Sequence, residues 1–447
     1  MKICLVTAFP PSRGGLNEYG FHVAKALKEL PQLDVTILSD ELPAPQPELE
    51  GFNVIRCWSF NSLSNPARLV AAIRRCQPDI VWFNLGFASF GSKPVPAFAG
   101  IVIPPMLRGL GYYTHVTLHQ IMDTMDLGDA RVPYPRLYRL GGWVATRLLL
   151  MSNSLSVLIP AYRRTLIDKY HGDNVHFRPH GILFGRPVVP DLNKHSNPER
   201  RILAFGKWGT YKRLEPLIEA FEKVSAREKN VRLVVAGGNH PETPGYVESM
   251  AQKYAGREDM EFRGYVAEDD IPELFRSANM TVLAYSSSAG SSGVAHLACE
   301  YGLPIVAADL PEFRDMATAE GLAVCFYEAR NTDRLADALI SLLSHPEWQQ
   351  QMAERNFNAA LRMTMPAVIR QYLRLFELHH STPALTSMIR ARRVPRWLPF
   401  RSLWTSYLSR KAALSWQYNK PGEDRAATTG DPSSETMARA AVGSDTL

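Results

Sequence analysis

The 447-residue chain carries 50 Lys/Arg against 44 Asp/Glu, a formal charge of +6, with 46% hydrophobic and 21% charged residues. That length exceeds what one hydrophobic core supports, and the composition excludes a disordered or fibrous chain. From Leu385 onward there are ten Lys/Arg and five Asp/Glu, so the basicity is a property of the tail; a near-neutral globular part excludes a general nucleic-acid binder.

The apolar run within the opening MKICLVTAFPP is about seven residues long, stops at Pro10 and Pro11 and is shorter than a secretory signal core, so it reads as a first strand. Ile3–Ala8 is that strand. Gly14 and Gly15 form a turn, and Leu16, Tyr19, Val23, Leu27 and Leu30 then recur at helical spacing. Strands are predicted at Asp34–Leu38, Asp79–Phe83, His115–Leu118 and Ser156–Ile159. The proline-rich, polar stretch around residues 184–200 has no periodicity and reads as a linker. Alternation then restarts, with strands at Arg201–Gly206, Val231–Ala236, Met280–Ala284 and Pro304–Ala308. Helices are predicted at Leu214–Lys223, Ile271–Ser277, Val294–Tyr301 and around Arg334–Leu343, followed by one helical run from Trp348 to about His379. Two βα-repeating halves joined by one linker predict an α/β chain of two doubly wound, Rossmann-like domains. Ligands in such sheets sit beyond the carboxyl ends of the strands.

Five scattered cysteines (Cys4, Cys57, Cys76, Cys299 and Cys325), none at CxxC spacing, predict neither a disulfide framework nor a zinc site and suit a reducing, cytoplasmic setting. No run of about 20 uninterrupted apolar residues marks a membrane span. No Asp-x-Asp pair suggests a bound divalent metal, and no GxGxxG suggests a dinucleotide cofactor.

Several strand-end segments carry chemistry. In PPSRGGLNEYG, Gly14 and Gly15 let backbone approach a ligand at a helix N-terminus, although an ordinary βα turn has the same look. In HVTLHQ, His119 ends a strand. In FGKWGTYKRLEPLIEAF, Lys207 and Lys212 flank a short loop ahead of an amphipathic helix. In AYSSSAGSSGVAHLACEYGLPIVAAD, the small residues Ser286–Gly293 open onto a helix whose amides and dipole suit phosphate. RPHGILF, with His180 and Gly181, enters the linker.

Taken in this order, the segments resemble the family-4 glycosyltransferases of the GT-B fold over roughly residues 1–380. The resemblance implies two Rossmann-like domains facing across a cleft: residues 1–185 on the acceptor side, a linker at 186–200, a nucleotide-sugar domain at 201–365, and a helix at 366–380 crossing back to the first domain. It implies a nucleotide sugar as donor and a saccharide or lipid-linked saccharide as acceptor. Transfer would retain the anomeric configuration, with no cofactor or metal. His119 would face the donor sugar. Lys207 and Lys212 would grip the diphosphate, where fixed cations stabilise the charge of the departing group. Gly14, Gly15, Ser291, Ser292, Gly293 and Val294 would complete the donor site. The family's two loop glutamates are replaced here by Ala289 and Leu297. Glu300, one turn on, is a candidate for the ribose contact, with a surface helix glutamate as the alternative. A non-catalytic sugar-nucleotide scaffold, or another GT-B enzyme such as an epimerase, are the competing functions.

Beyond the resemblance, Met388–Trp416 within the basic, aromatic segment 381–420 has seven Arg/Lys, five aromatic residues and no acid. It suits an anionic membrane surface at the inner face of the plasma membrane, or packing on the body of the protein. Residues 421–447 lack periodicity and are expected to be disordered.

Overall fold

The computed structural model describes residues 1–381 except 13, 45, 125–133, 184–186, 193–198 and 288–289. Residues 1–381 form one compact unit. The expectations for 388–416 and 421–447, and part of the 186–200 linker, lie outside the described residues.

The first half runs β1 (Lys2–Val6), α1 (Asn17–Lys28), β2 (Asp34–Asp40), β3 (Asn53–Trp58), α2 (Asn65–Cys76), β4 (Ile80–Leu85), α3 (Pro94–Ile101), α4 (Ile103–Gly109), β5 (Tyr113–Leu118), α5 (Pro135–Leu149), β6 (Ser154–Val157), α6 (Pro160–Asp168) and β7 (Val175–Phe177). Its seven strands pair in the order β3-β2-β1-β4-β5-β6-β7, every pairing parallel. Every residue of β4 and β5 is buried, as expected of central strands covered by helices on both faces.

The second half runs β8 (Arg200–Phe205), α7 (Leu214–Arg227), β9 (Val231–Ala236), α8 (Tyr246–Lys253), β10 (Met260–Gly264), α9 (Ile271–Arg276), β11 (Met280–Leu283), α10 (Gly293–Glu300), β12 (Ile305–Ala308), α11 (Pro311–Glu320), β13 (Val324–Tyr327) and α12 (Thr332–Leu343). Its sheet is β10-β9-β8-β11-β12-β13, again all parallel. The chain is thus an α/β fold with two Rossmann-like sheets.

Where the sequence reads one helical run from Trp348, the structure has two helices, α13 (Pro346–Arg362) and α14 (Met365–Ser381). The break has a cause. The Met363 carbonyl accepts a hydrogen bond from the Ile182 amide (2.9 Å), and Thr364 bridges to Ile182, so backbone polar groups are diverted from the helix ladder. α14 then packs on the first sheet. Met365, Val368, Ile369, Tyr372, Leu373 and Phe376 share one core with strand residues Ile3, Leu5 and Trp82 and with Tyr19, Val23 and Leu27 of α1. The Trp82 ring lies 4.5 Å from Tyr372 and 5.4 Å from Phe376, centroid to centroid.

Candidate functional site

In each sheet the winding direction reverses at one pair of strands: β1/β4 in the first and β8/β11 in the second. Loops beyond the carboxyl ends of such a pair splay apart and leave a crevice for ligand. The loops that follow β1, β8 and β11 hold Gly14 and Gly15, Lys207 and Lys212, and Ser291–Gly293 respectively. The loop after β5, the neighbour of β4, holds His119.

On the second sheet, β8 is followed by Gly206 (φ 154°), which lies against Gly237 (φ 104°). A Cβ on Gly237 would fall 1.8 Å from the Gly206 carbonyl oxygen, so the two strand ends touch backbone to backbone. Buried Trp208 locks the turn by donating from its indole to the Ala236 carbonyl (2.9 Å). Lys207 follows, exposed. Lys212 is half-buried, its ammonium 4.4 Å from the Tyr285 ring centroid. Burial pulls its pKa below the usual lysine value. Among the described residues neither lysine is in an ion pair. Two cations at one sheet end, one of them desolvated without a counter-charge, call for an anion. His240 in the loop after β9 feels both lysines: burial lowers its pKa, Glu242 opposes that, and the two lysines lower it further.

The loop before α10 uses its hydroxyls internally. Ser292 caps α10, accepting from the Ala295 amide (3.2 Å), and the Ser291 hydroxyl lies 3.8 Å from the Met316 sulfur. The amides of Ser291, Ser292, Gly293 and Val294 are not drawn into hydrogen bonds among the described residues. They are open to phosphate oxygens, and the Ser292 hydroxyl, an acceptor in its cap, keeps its proton to donate.

On the first sheet, Gly14 is closely packed. A Cβ would meet Ala8 Cβ at 3.0 Å and the Asp40 carboxylate at 3.2 Å, whereas one on Gly15 would meet open space. Both line a cavity of about 840 Å³ together with Asp40, Trp58, Phe87 and His119. His119 is buried, with Nε2 2.6 Å from Asn84 Oδ1. The Asn84 amide nitrogen donates to Thr7 (3.1 Å), so its oxygen accepts from His119 and leaves Nδ1 as a lone-pair acceptor. Burial pushes the His119 pKa down to about 3, so the ring is neutral at pH 7.

The two halves meet at these loops. Gly290 (φ 114°) sits so close to the end of β5 that a Cβ would lie 2.8 Å from the His119 carbonyl oxygen. A row of rings crosses the junction: Tyr19 lies 4.7 Å from His119 and 4.8 Å from His180, and His180 lies 4.8 Å from His296. His296 on α10 is buried between the Ser292 carbonyl (2.7 Å from Nδ1) and the Glu320 carboxylate (2.9 Å from Nε2). Nδ1 donates to the Ser292 carbonyl, and Nε2 lies within ion-pair distance of Glu320. Burial lowers the pKa of His296, but Glu320 and the Ser292 carbonyl outweigh it and the net shift is upward. Sequence reading missed His296, Tyr19, Asn84 and His240, because nothing in a single chain announces which rings converge.

Glu300 is not brought to this loop. It is the last residue of α10, about 10 Å along the axis from Gly293. It is buried rather than on the surface, its Oε2 has no partner, and Arg276 is the cation that acts on it. Leu297 packs partly buried against the second core, and Ala289 lies outside the described residues. Among the described residues no group of three or more His, Cys, Asp or Glu is placed to hold a metal ion, and no helix is long and apolar enough to cross a membrane.

Residues 190–359 match the family model described as glycosyl transferases group 1. The chain is 35% identical over 89 residues to a mannosylfructose-phosphate synthase of Agrobacterium fabrum, a stretch covering 19% of this chain and 20% of that relative. Sucrose-phosphate synthase from Thermosynechococcus elongatus superposes with a TM-score of 0.67 at 15% identity, over 86% of this chain and 100% of that one. HepE of Anabaena, solved in complex with UDP, superposes with a TM-score of 0.62 at 15% identity, over 84% and 100%. Residues 190–359 are thus similar to the glycosyl transferases group 1 family, and they lie within a two-domain chain of the GT-B fold.

Proposed function

We propose that this chain is a glycosyltransferase moving a hexose from a nucleoside diphosphate sugar to an acceptor hydroxyl, with retention and without a metal ion. The half-buried Lys212 ammonium, which has no counter-ion among the described residues, carries this reading. Lys207, Lys212 and the amides of Ser291–Val294 would hold the diphosphate, and Gly14, Gly15 and His119 would face the sugar. Neutral His119, held by Asn84, would accept a hydrogen bond from a sugar hydroxyl at Nδ1. As the glycosyl–phosphate bond breaks, its electron pair goes to the diphosphate, and the lysines stabilise that charge. A phosphate oxygen of the same leaving group would take the acceptor's proton as the new glycosidic bond forms. The match to HepE makes UDP the first donor nucleotide to try, and a saccharide or lipid-linked saccharide in polysaccharide or glycolipid assembly is the acceptor class we assign. We place the enzyme in the cytoplasm, at the inner face of the plasma membrane.

A sugar-nucleotide-binding scaffold is the second reading, favoured by Leu297 standing where the family carries a loop glutamate. Thermal unfolding with UDP, GDP, ADP and dTDP, for wild type and Lys207→Ala/Lys212→Ala, tests both. A diphosphate at about 100 times its Kd should stabilise the wild type by about 2.7 kcal/mol and leave the double variant unmoved. Sugar-donor turnover that survives EDTA would then separate a metal-free enzyme from a scaffold. Failure of all four nucleotides to shift a folded sample would remove the proposal.

A further inference from the structure

Six large apolar side chains stand exposed together on one side of the first domain. Val95 and Phe98 on α3 are 67% and 39% exposed, and Leu137, Leu140 and Trp143 on α5 are 65%, 58% and 39% exposed. Tyr134, just ahead of α5, is 77% exposed. α3 and α5 pack on each other, so their stripes adjoin. On α5 the exposed stripe follows i, i+3, i+6, while buried Gly142, Ala145, Thr146 and Leu149 occupy the opposite side of the helix. A patch of this kind is uncommon on a free surface.

Among the described residues of α3, α4 and α5 its charge is of one sign. Lys93 precedes α3, Arg136 and Arg139 are exposed on α5, and Arg147 lies 4.4 Å over the Trp143 ring. The sequences of α3, α4 and α5 contain no Asp or Glu. That charge selects the occupant. A second copy docking through the same face would set arginine against arginine across a two-fold axis. The chain's own segment 388–416 is also purely basic. Leucines and a tryptophan ringed by arginines match instead the boundary between anionic headgroups and acyl chains.

Topology gives the patch its use. α3 and α5 follow β4 and β5, so both helices start at the carboxyl end of the first sheet, the end that bears His119 and the 840 Å³ cavity. We infer that this face of α3 and α5 docks on an anionic lipid bilayer, and that docking sets the first-domain cavity beside the headgroups. The inference stands apart from the transferase reading, since vesicle binding and nucleotide binding are measured separately.

The test is co-sedimentation of the full chain with phosphatidylcholine vesicles, with and without about one-third phosphatidylglycerol. The wild type should partition to the anionic vesicles and not to phosphatidylcholine alone. Leu137→Ser/Leu140→Ser should weaken partitioning more than about tenfold, and Arg136→Gln/Arg139→Gln about fivefold per arginine. Both variants alter exposed side chains, and circular dichroism together with an unchanged melting temperature verifies that they fold. Wild type that ignores anionic vesicles overturns the inference. So does undiminished binding by both variants, which would move the membrane contact to the basic tail. A wild-type dimer that either variant converts to a monomer would assign the face to a second copy.

Discussion

At the scale of single residues, burial decides more than identity. His119 and His296 are both buried imidazoles near the cleft, yet one is held neutral and the other is favoured as a cation. His119 meets an amide and aromatic rings, whereas His296 meets a carboxylate and a carbonyl. Glu300 is the opposite case, a carboxyl pushed up to about 8 by burial, which the charge of Arg276 only partly offsets. Its raised pKa fixes the sign of its pH effect. Below about pH 4.5 the group is protonated in folded and unfolded chains alike and costs nothing. As pH rises from there to about 8, the unfolded chain releases a proton that the folded chain keeps, and stability falls. Glu300→Gln should therefore stabilise the protein on the order of 2 kcal/mol at pH 8, with no gain near pH 4.5. Denaturant unfolding at the two pH values measures this, and an equal effect at both would mean the carboxylate is paired after all. The same measurement bears on the ribose expectation: retained nucleotide affinity in Glu300→Gln agrees with its place at the far end of α10.

Among the elements, α14 is the one whose role its own sequence conceals. Its apolar face resembles that of any amphipathic helix, but the core it completes belongs to the other domain. Tyr372 is fully buried against Trp82, and its hydroxyl stands 3.4 Å from Thr117. Tyr372→Ala should cost about 3–5 kcal/mol in denaturant unfolding, and nucleotide should still stabilise the variant, because the lysine loop belongs to the second sheet. Loss of nucleotide response along with stability would show that α14 also shapes the donor site. The edge strands β3, β7, β10 and β13 escaped sequence reading for a related reason. Each is only partly buried, as in the alternating pattern of NVIRCW, so none forms the apolar run by which central strands such as IVWFNL declare themselves.

Across the whole molecule, the two sheets are joined at separate places. Ile182 and Met363 tie the backbone crossing, and His22 on α1 faces Glu268 of the second half at 3.6 Å. Asp315 on α11 accepts from the Ala161 amide and from Arg164, each at 2.5 Å. Arg164 is largely exposed, so that pair contributes little to stability. Asp315→Ala should shift unfolding by no more than about 1–2 kcal/mol, yet lower kcat/KM with a nucleotide-sugar donor by loosening the junction of the two halves beside the cleft. Unchanged turnover would assign the contact to packing alone. The sequence by itself determined the alternation of strands and helices, the glycine turns at the strand ends, and the two lysines beside the second sheet. These are local properties, because side-chain period and turn chemistry act over a few neighbours. Only the tertiary structure decided that His119, His180 and His296 form one row, that Glu300 is buried away from the loop, and that the helical run from Trp348 breaks at Met363 to meet Ile182. Each of these depends on residues far apart in the chain packing together, and no local pattern encodes which distant neighbour will take up a hydrogen bond or exclude water.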